Sequence, residues 1–188
     1  RRRCAAVGGS EQPMAMVGLF WIAEGDVYVG ANPTGSAPGI RLTPDGVVAL
    51  GDGQSGLHLW EDVRALTVAD VPVKSLKRQV GAVADVALDV VMNLGMTLGP
   101  GLSGEAPPLM TVDLEAHDGT YELKVHVAAA VGYSPAEAEL SRALLSRLTE
   151  GAATMATTLA AMSEWGRTAE GATPRATQRE ELLRGWVG

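Results

Sequence analysis

The chain has 188 residues, of which 46% are apolar and only 4% aromatic, and its net charge at neutral pH is −7. This length suits one domain with a real core and helical additions, and it is too short for two comfortable domains. The lone cysteine, Cys4, excludes an internal disulfide and a cysteine-based zinc site, so we expect a protein of the reducing cytoplasm.

The negative charge is concentrated in the central part of the chain. Residues 14–166 carry eight basic and eighteen acidic side chains, a net charge of −10. A region with this net negative charge repels nucleic-acid phosphates and anionic lipids. Its one basic cluster, Lys74, Lys77 and Arg78, is typical of a solvated helix face. No window approaches the roughly eighteen apolar residues of a membrane span. We therefore expect no nucleic-acid partner, no membrane span and no anionic lipid ligand.

Both ends of the chain are predicted to lie outside the domain. Residues 1–13 lack periodicity and also lack the apolar stretch of about seven to fifteen residues that a signal peptide needs, so we interpret them as a disordered leader. Residues 14–166 are predicted to form a single domain. The polar tail 167–188 is predicted to be disordered, with a short helix at 178–184 as an alternative.

The first part of the domain is predicted to form short strands. Residues 19–29 contain two β-rich runs separated by a tight turn, with Gly25 at positive φ. Residues 40–50 form a second predicted hairpin, whose turn is Thr-Pro-Asp-Gly. Because aromatic residues are so few, Trp21 and Trp60 are expected to be the large anchors of the core.

The stretch 57–72 raises the question of a functional site, because His58, Glu61 and Asp62 lie close together in it. The apolar alternation changes phase around Glu61 and Asp62, which indicates a bulge or a bend in the strand. His58 and Asp62 share one strand parity and Glu61 has the other, so the three side chains do not converge on a metal ion. We interpret the stretch as architecture, with Trp60 packed inward and the carboxylates in solvent.

From Ser75 the apolar period changes to that of a helix. Residues 75–94 are predicted to form an amphipathic helix inserted into the domain, followed by a Gly/Pro-rich connection over 95–108. The apolar stripe of this helix consists of Leu76, Val80, Val83, Ala87, Val90 and Leu94. Its opposite stripe carries Arg78, Asp85, Asp89 and Asn93. The apolar stripe is wider than packing on one sheet edge requires, which makes it a candidate interface.

The last part of the domain combines a hairpin with helices. Apolar and polar residues alternate over 110–127 on both sides of a turn at 117–120, which predicts two antiparallel strands. Ser134-Pro135-Ala136-Glu137 is a capping box with proline at the first helical position. The helix that follows has an apolar face formed by Leu140, Leu144, Leu145 and Leu148. A weaker helix is predicted over 152–165.

The runs WIAEGDVYVG, GIRLTPDGVVAL and LHLWEDVRALTV together resemble the first strands of a bacterial pleckstrin-homology-like (PH-like) domain, over residues 17–150. The resemblance implies an α+β fold: a PH-like antiparallel β-barrel or bent sheet of about seven strands, with the inserted amphipathic helix and a C-terminal capping helix. Lipid-binding members carry clustered Lys and Arg in the first hairpin loop, where this chain has Glu24 and Asp26. The Ala-rich, Lys-poor composition points to a GC-rich, actinobacterial genome.

Two hypotheses of function follow. The first, which the resemblance also implies, is a non-catalytic protein-interaction or scaffold module that docks a partner or a second copy through the stripe of 75–94. The alternative is a small-ligand-binding protein or enzyme with a cleft between the inserted helix and the sheet, and Asp113, Glu122 and His126 at its mouth. Nucleophile, zinc and phosphate-loop motifs are missing from the sequence, so we expect no catalytic residue, no metal and no cofactor.

Overall fold

The structure is a computed structural model that describes residues 14–33, 35–73, 108–129, 132–168 and 173–188. These residues form an α+β fold. The strands are β1 (Met14–Val17), β2 (Phe20–Ala23), β3 (Asp26–Val29), β4 (Gly39–Leu42), β5 (Gly46–Leu50), β6 (Gly56–Leu59), β7 (Val63–Ala69), β8 (Leu109–Ala116) and β9 (Gly119–His126). The helices are α1 (Pro135–Leu148), α2 (Ala152–Thr168) and α3 (Ala176–Val187).

The strands of the described residues form two antiparallel sheets, neither of which is closed. The first contains β1 to β6 in chain order, and the second contains β7 to β9 in chain order. The described part therefore has nine strands in two open sheets, where the sequence predicts about seven in a barrel or bent sheet. Two differences account for the count: Met14–Val17 is a separate strand, and the predicted strand after Leu57 is divided between the sheets.

The division of that strand explains the change of phase seen in the sequence. A turn at Trp60–Asp62 separates β6 from β7, held by a hydrogen bond from the Asp62 N–H to the Leu59 carbonyl at 2.9 Å. The register of β7 against β8 is irregular between Val63 and Ala65. The predicted bend is thus confirmed, and it is the corner where the chain passes from one sheet to the other.

The predicted hairpins are present in the structure. Glu24 and Gly25 join β2 to β3 with φ of 55° and 89°, the pair of positive values that a tight two-residue hairpin needs. The Thr43 N–H donates to the Gly46 carbonyl at 3.0 Å and closes the turn between β4 and β5. The hairpin of β8 and β9 turns at residues 117–118, as expected from the alternation.

The core lies between the two sheets and the helices. In the six-stranded sheet, two rows of directly opposed side chains point inward. One row is Ala15, Ile22, Val27, Leu42, Val47 and His58, and the other is Val17, Phe20, Val29, Ile40, Ala49 and Gly56. The apolar members of both rows are at most 8% exposed, which fixes the inner face of this sheet.

Helix α1 begins where the sequence predicts and packs through the expected face. Ser134 is its N-cap, and its Oγ accepts the N–H of Glu137 at 3.2 Å and donates to the Glu137 carboxylate at 3.1 Å. Leu144, Leu145 and Leu148 are at most 1% exposed. The predicted N-cap and the apolar face are therefore confirmed, with the Glu137 carboxylate bonded to the Ser134 hydroxyl.

Helix α1 also holds the first turn of the six-stranded sheet. The buried hydroxyl of Ser141 accepts the N–H of Leu19 at 3.1 Å. The backbone of Gly18, with φ of 59°, approaches so closely that an added Cβ would lie 2.2 Å from that hydroxyl. Helix α2 packs on the inner face of the same sheet, where Gly166 meets Ile22. The helices thus lie on the inner side of the six-stranded sheet.

The C-terminal segment differs from the disordered tail predicted for 167–188. Residues 176–187 form helix α3, which contains the alternative short helix and is longer than it. Leu183 is fully buried, and the Arg179 guanidinium pairs with the buried Glu137 carboxylate and donates to the Pro174 carbonyl at 2.7 Å. Leu182, Trp186 and Val187 also pack against the core, and the ring of Trp186 lies 5.9 Å from the ring of Trp165. The polar composition of the segment does not reveal these contacts.

Candidate functional site

The stretch that first suggested a site is architectural. Trp60 is half-buried and packs against the core, and its Nε1 donates to the Thr43 carbonyl at 2.6 Å. Glu61 and Asp62 are both exposed. These positions agree with the interpretation from the sequence. His58 does not approach a carboxylate; its ring lies 4.5 Å from the ring of Tyr121, at a tilt of 53°.

A small polar cluster surrounds the end of the β8–β9 hairpin. The Arg64 guanidinium donates to His117 Nδ1 through its Nε at 3.1 Å, and its Nη2 lies 2.8 Å from the same nitrogen. The Tyr121 hydroxyl donates to Asp118 at 2.7 Å, and this hydrogen bond, with desolvation and the nearby negative charge, raises the pKa of Tyr121. Each of these groups has a hydrogen-bond partner within the cluster. The pair of Arg64 on β7 with His117 in the turn links the hairpin to β7.

The three residues predicted at a ligand cleft share one face of the three-stranded sheet. Asp113 lies directly opposite Glu122, and His126 lies opposite Leu109 at the other end of the ladder. Asp113 and His126 are half-buried and Glu122 is exposed. The His126 carbonyl accepts the N–H of Ala31 at 2.8 Å, which brings β9 to the end of β3.

The side chains around Glu122 form a cross-strand network. The Lys124 ammonium group contacts the Glu122 carboxylate at 2.8 Å and donates to the Thr111 hydroxyl at 2.7 Å. Thr111 in turn donates to the Asp70 carboxylate at 3.1 Å. This network bridges all three strands of the sheet, and its lysine is occupied by neighbours, which is typical of a stabilising surface network.

Neither of two open clefts on the described part of the molecule contains the predicted ligand residues. One, of about 270 Å³, is lined by α1 and Arg184. The other, of about 240 Å³, lies between β7 and α1 and is lined by Arg64, Arg142, Ser146 and Thr149 among others. Neither of these two clefts is therefore the ligand cleft predicted at Asp113, Glu122 and His126. The inserted helix that would form its other wall lies outside the described residues.

The interface stripe predicted for the segment 75–94 also lies outside the described residues. Its members are Leu76, Val80, Val83, Ala87, Val90 and Leu94. The structure describes the chain on both sides of this segment, up to Val73 and again from Pro108.

A continuous row of side chains crosses the outer face of the six-stranded sheet. Each member lies directly opposite the next one on the neighbouring strand, so all point to the same side. We call this set the outer row; it consists of Met16, Trp21, Tyr28, Arg41, Val48 and Leu57. Leu57 is exposed and the other five are half-buried. The sequence analysis missed this surface, because only the register of all six strands reveals it.

The outer row corrects the expectation that Trp21 anchors the core. Phe20 and Ile22 on either side of it are fully buried, and the strand alternation therefore turns Trp21 outward. Trp21, Tyr28, Val48 and Leu57 are outside the cluster of side chains that pack on the core. They form an apolar surface on the side of the sheet away from the helices.

Two N–H donors on the outer row have no acceptor among the described residues. Trp21 Nε1 and Arg41 Nε are both shielded from solvent without a hydrogen-bond partner. A second guanidinium nitrogen of Arg41 reaches the Asp26 carboxylate at 2.7 Å, so the charge of Arg41 is neutralised. Apart from the Arg41–Asp26 pair, the two N–H donors and the Tyr28 hydroxyl, the side chains of the row are apolar.

The outer row ends at an edge of the sheet. Strand β6 pairs with β5 on one side, and its other side has no ladder partner within the described residues. Leu57 and Leu59 on this strand are 54% and 39% exposed. Exposed leucines on an edge strand favour pairing or aggregation with another chain, and proteins usually avoid them. This edge is therefore a candidate contact surface.

Other features of the described residues have structural explanations. Burial raises the pKa of Tyr133, and its hydroxyl accepts the N–H of Ala128 at 3.1 Å. Within the described residues no group of three His, Cys, Asp or Glu side chains could hold a metal ion. No helix of the described part is long and apolar enough to cross a membrane.

Comparison with known proteins gives no relative. No protein-family model matches the chain, and no curated protein and no solved structure matches it. The PH-like resemblance and a bacterial origin therefore stay predictions from the sequence.

Proposed function

We propose that this protein is a non-catalytic protein-interaction module that associates with a second copy of itself through the segment 75–94. The observation that carries the proposal is the outer row, in which Trp21, Tyr28, Val48 and Leu57 lie outside the side chains packed on the core. Surfaces of this kind usually mark contacts with other proteins. The proposed location is the cytoplasm, because its reducing conditions keep a single cysteine as a free thiol.

The fold proposed for this function is a PH-like domain. Its support is an antiparallel meander that bends into a second sheet, followed directly by helix α1 after the last strand. Domains of this kind mostly bind peptides, lipids or other domains. The acidic first hairpin, with Glu24 and Asp26, favours a protein partner over an anionic lipid.

Interaction is favoured over ligand binding by the state of the predicted ligand residues. Glu122 is exposed and paired with Lys124, and Asp113 lies directly opposite it on the neighbouring strand. A small-molecule site normally needs an enclosed, mostly apolar pocket of a few hundred Å³ with converging polar groups. The two open clefts described above lack such an arrangement.

The proposal is tested by placing charges on the apolar stripe of the 188-residue chain. Val83→Glu/Val90→Glu adds two negative charges to the stripe, and we expect the species measured by light scattering to change from dimer to monomer. Arg78→Glu changes the net charge equally on the opposite stripe and is the control, expected to remain dimeric. Equal masses for the wild type and the double variant would contradict the proposal.

A further inference from the structure

We infer that the outer row of one copy receives the apolar stripe of the segment 75–94 from a second copy, and that the exchange is reciprocal. This inference rests on the proposed function and adds the surface on which the stripe docks. A two-fold arrangement follows, because each copy then gives one segment and accepts the other.

The dimensions of the two surfaces agree. From Leu76 to Leu94 a helix rises about 27 Å, at about 1.5 Å per residue. Six strands spaced about 4.8 Å apart span about 24 Å from β1 to β6. A helix laid along the outer row therefore covers it from Met16 to Leu57 with little excess at either end.

The chemistry of the two surfaces also agrees. The stripe contains only valine, leucine and alanine. The outer row offers Trp21, Tyr28, Val48 and Leu57, and the charge of its Arg41 is already neutralised by Asp26. Contact between the two removes apolar area from water without burying an unpaired charge.

The point where the segment leaves the described structure favours a second copy over the segment's own sheet. Val73 bridges to Tyr133, and the Tyr133 N–H donates to the Pro72 carbonyl at 2.8 Å, just before α1. Helix α1 lies with the helices on the inner side of the six-stranded sheet. Only Lys74 separates Val73 from Ser75, so the predicted helix begins close to these inner-side contacts and not at the outer row.

The area needed for a stable dimer favours this contact over pairing of two β6 edges. A stable interface buries about 1,200 Å² or more. Strand β6 has four residues, whereas two reciprocal helix contacts each cover six strands. The 13 residues 95–107 can span about 40 Å when extended, enough to return the chain from the second copy to Pro108.

The inference is tested with two variants of the full chain that damage opposite sides of the contact. Val83→Glu/Val90→Glu damages the stripe, and Val48→Glu/Leu57→Glu damages the outer row. Each variant alone is expected to be monomeric by light scattering. An equimolar mixture is expected to form a heterodimer. The outer-row variant still has an intact stripe, which can dock on the intact outer row of the stripe variant. A mass tag on one variant identifies the heterodimer.

Controls keep the result interpretable. Leu109→Glu alters the third exposed leucine, on the other sheet and 46% exposed, and is expected to leave the dimer intact. Should Val48→Glu/Leu57→Glu lose its cooperative thermal unfolding, Leu57→Glu/Leu59→Glu replaces it, since both of those leucines are exposed.

The outcomes separate this inference from the function on which it rests. If the outer-row variant remains a dimer, or if the mixture shows no heterodimer, the stripe docks elsewhere and the inference is overturned, while self-association stands. If the wild-type chain is a monomer at every concentration, the proposed function itself fails. A dimer broken by either variant and restored by mixing supports both.

Discussion

The side-chain amide of Gln54 is hydrogen-bonded to the backbone of Lys124 in both directions. Its Oε1 accepts the Lys124 N–H at 2.8 Å, and its Nε2 donates to the Lys124 carbonyl at 2.9 Å. The same Nε2 lies 3.1 Å from the Leu50 carbonyl. Gln54 follows β5 in the first sheet and Lys124 lies on the edge strand of the second. One amide thus imitates a strand neighbour and joins the two open sheets.

Replacing Gln54 tests this junction. We expect Gln54→Ala to lower the free energy of unfolding by about 1–3 kcal/mol, because two backbone groups of Lys124 lose their partner. Gln54→Glu keeps the acceptor for the Lys124 N–H but turns a carboxylate oxygen toward the Leu50 and Lys124 carbonyls, so it is also expected to be less stable than the wild type. Urea denaturation measures the change, and faster amide exchange at Lys124 would localise it. An unchanged midpoint in the alanine variant would show that the junction is not needed.

The buried ion pair of Arg179 and Glu137 is predicted to hold helix α3 on α1. The side chains are 16% and 3% exposed, so Arg179→Ala leaves the carboxylate buried without its charge partner. We expect a loss of about 3–5 kcal/mol. The exposed pair of Arg184 and Glu180 provides the control, and Arg184→Ala is expected to cost at most about 0.5 kcal/mol. Equal effects in thermal unfolding would contradict this assignment.

Gly18 and Gly35 form a matched pair for the turn that docks on α1. Both have φ of 59°, but an added Cβ meets Ser141 at 2.2 Å at Gly18 and nothing within 4 Å at Gly35. We expect Gly35→Ala to cost about 1–2 kcal/mol from backbone strain alone. Gly18→Ala is expected to cost clearly more, because the turn must also move away from Ser141. The denaturation midpoints of the two variants measure the difference. Equal losses of stability would show that the close approach of Gly18 to Ser141 does not contribute to the cost.

Tyr133 is predicted to make the fold sensitive to alkali. Burial raises its pKa in the folded chain, so above pH 10 the unfolded chain releases the proton first. The stability that this tyrosine contributes is complete below that pH and is lost as the pH rises further. We expect a falling melting temperature above pH 10 in the wild type and a shallower fall in Tyr133→Phe. Identical slopes for the two proteins would place the alkaline transition elsewhere.

Local features of this fold could be predicted from the sequence because their causes are local. The Glu24-Gly25 hairpin, the turn closed by Thr43 and Gly46, and the N-cap at Ser134 each depend on residues a few positions apart. The change of phase before Val63 was also visible, since it follows from side-chain alternation alone.

Features that depend on distant residues could not be predicted in this way. Helix α3 has a mostly polar sequence, and its docking involves buried Leu183, the contact of Trp186 with Trp165, and the pairing of Arg179 with Glu137, 42 positions away. The outward position of Trp21 follows from its parity beside Phe20, but composition suggested a core anchor. Predicting the outer row requires the register of five strand pairs, and this register cannot be derived from the sequence pattern alone.

The most direct test of self-association is the solution mass of the 188-residue wild-type chain, measured by light scattering at two concentrations that differ tenfold. We expect twice the mass of a single chain at the higher concentration, and no oligomer larger than the dimer. The mass of a single chain at both concentrations would contradict it, and would mean that the outer row is not a surface for a second copy.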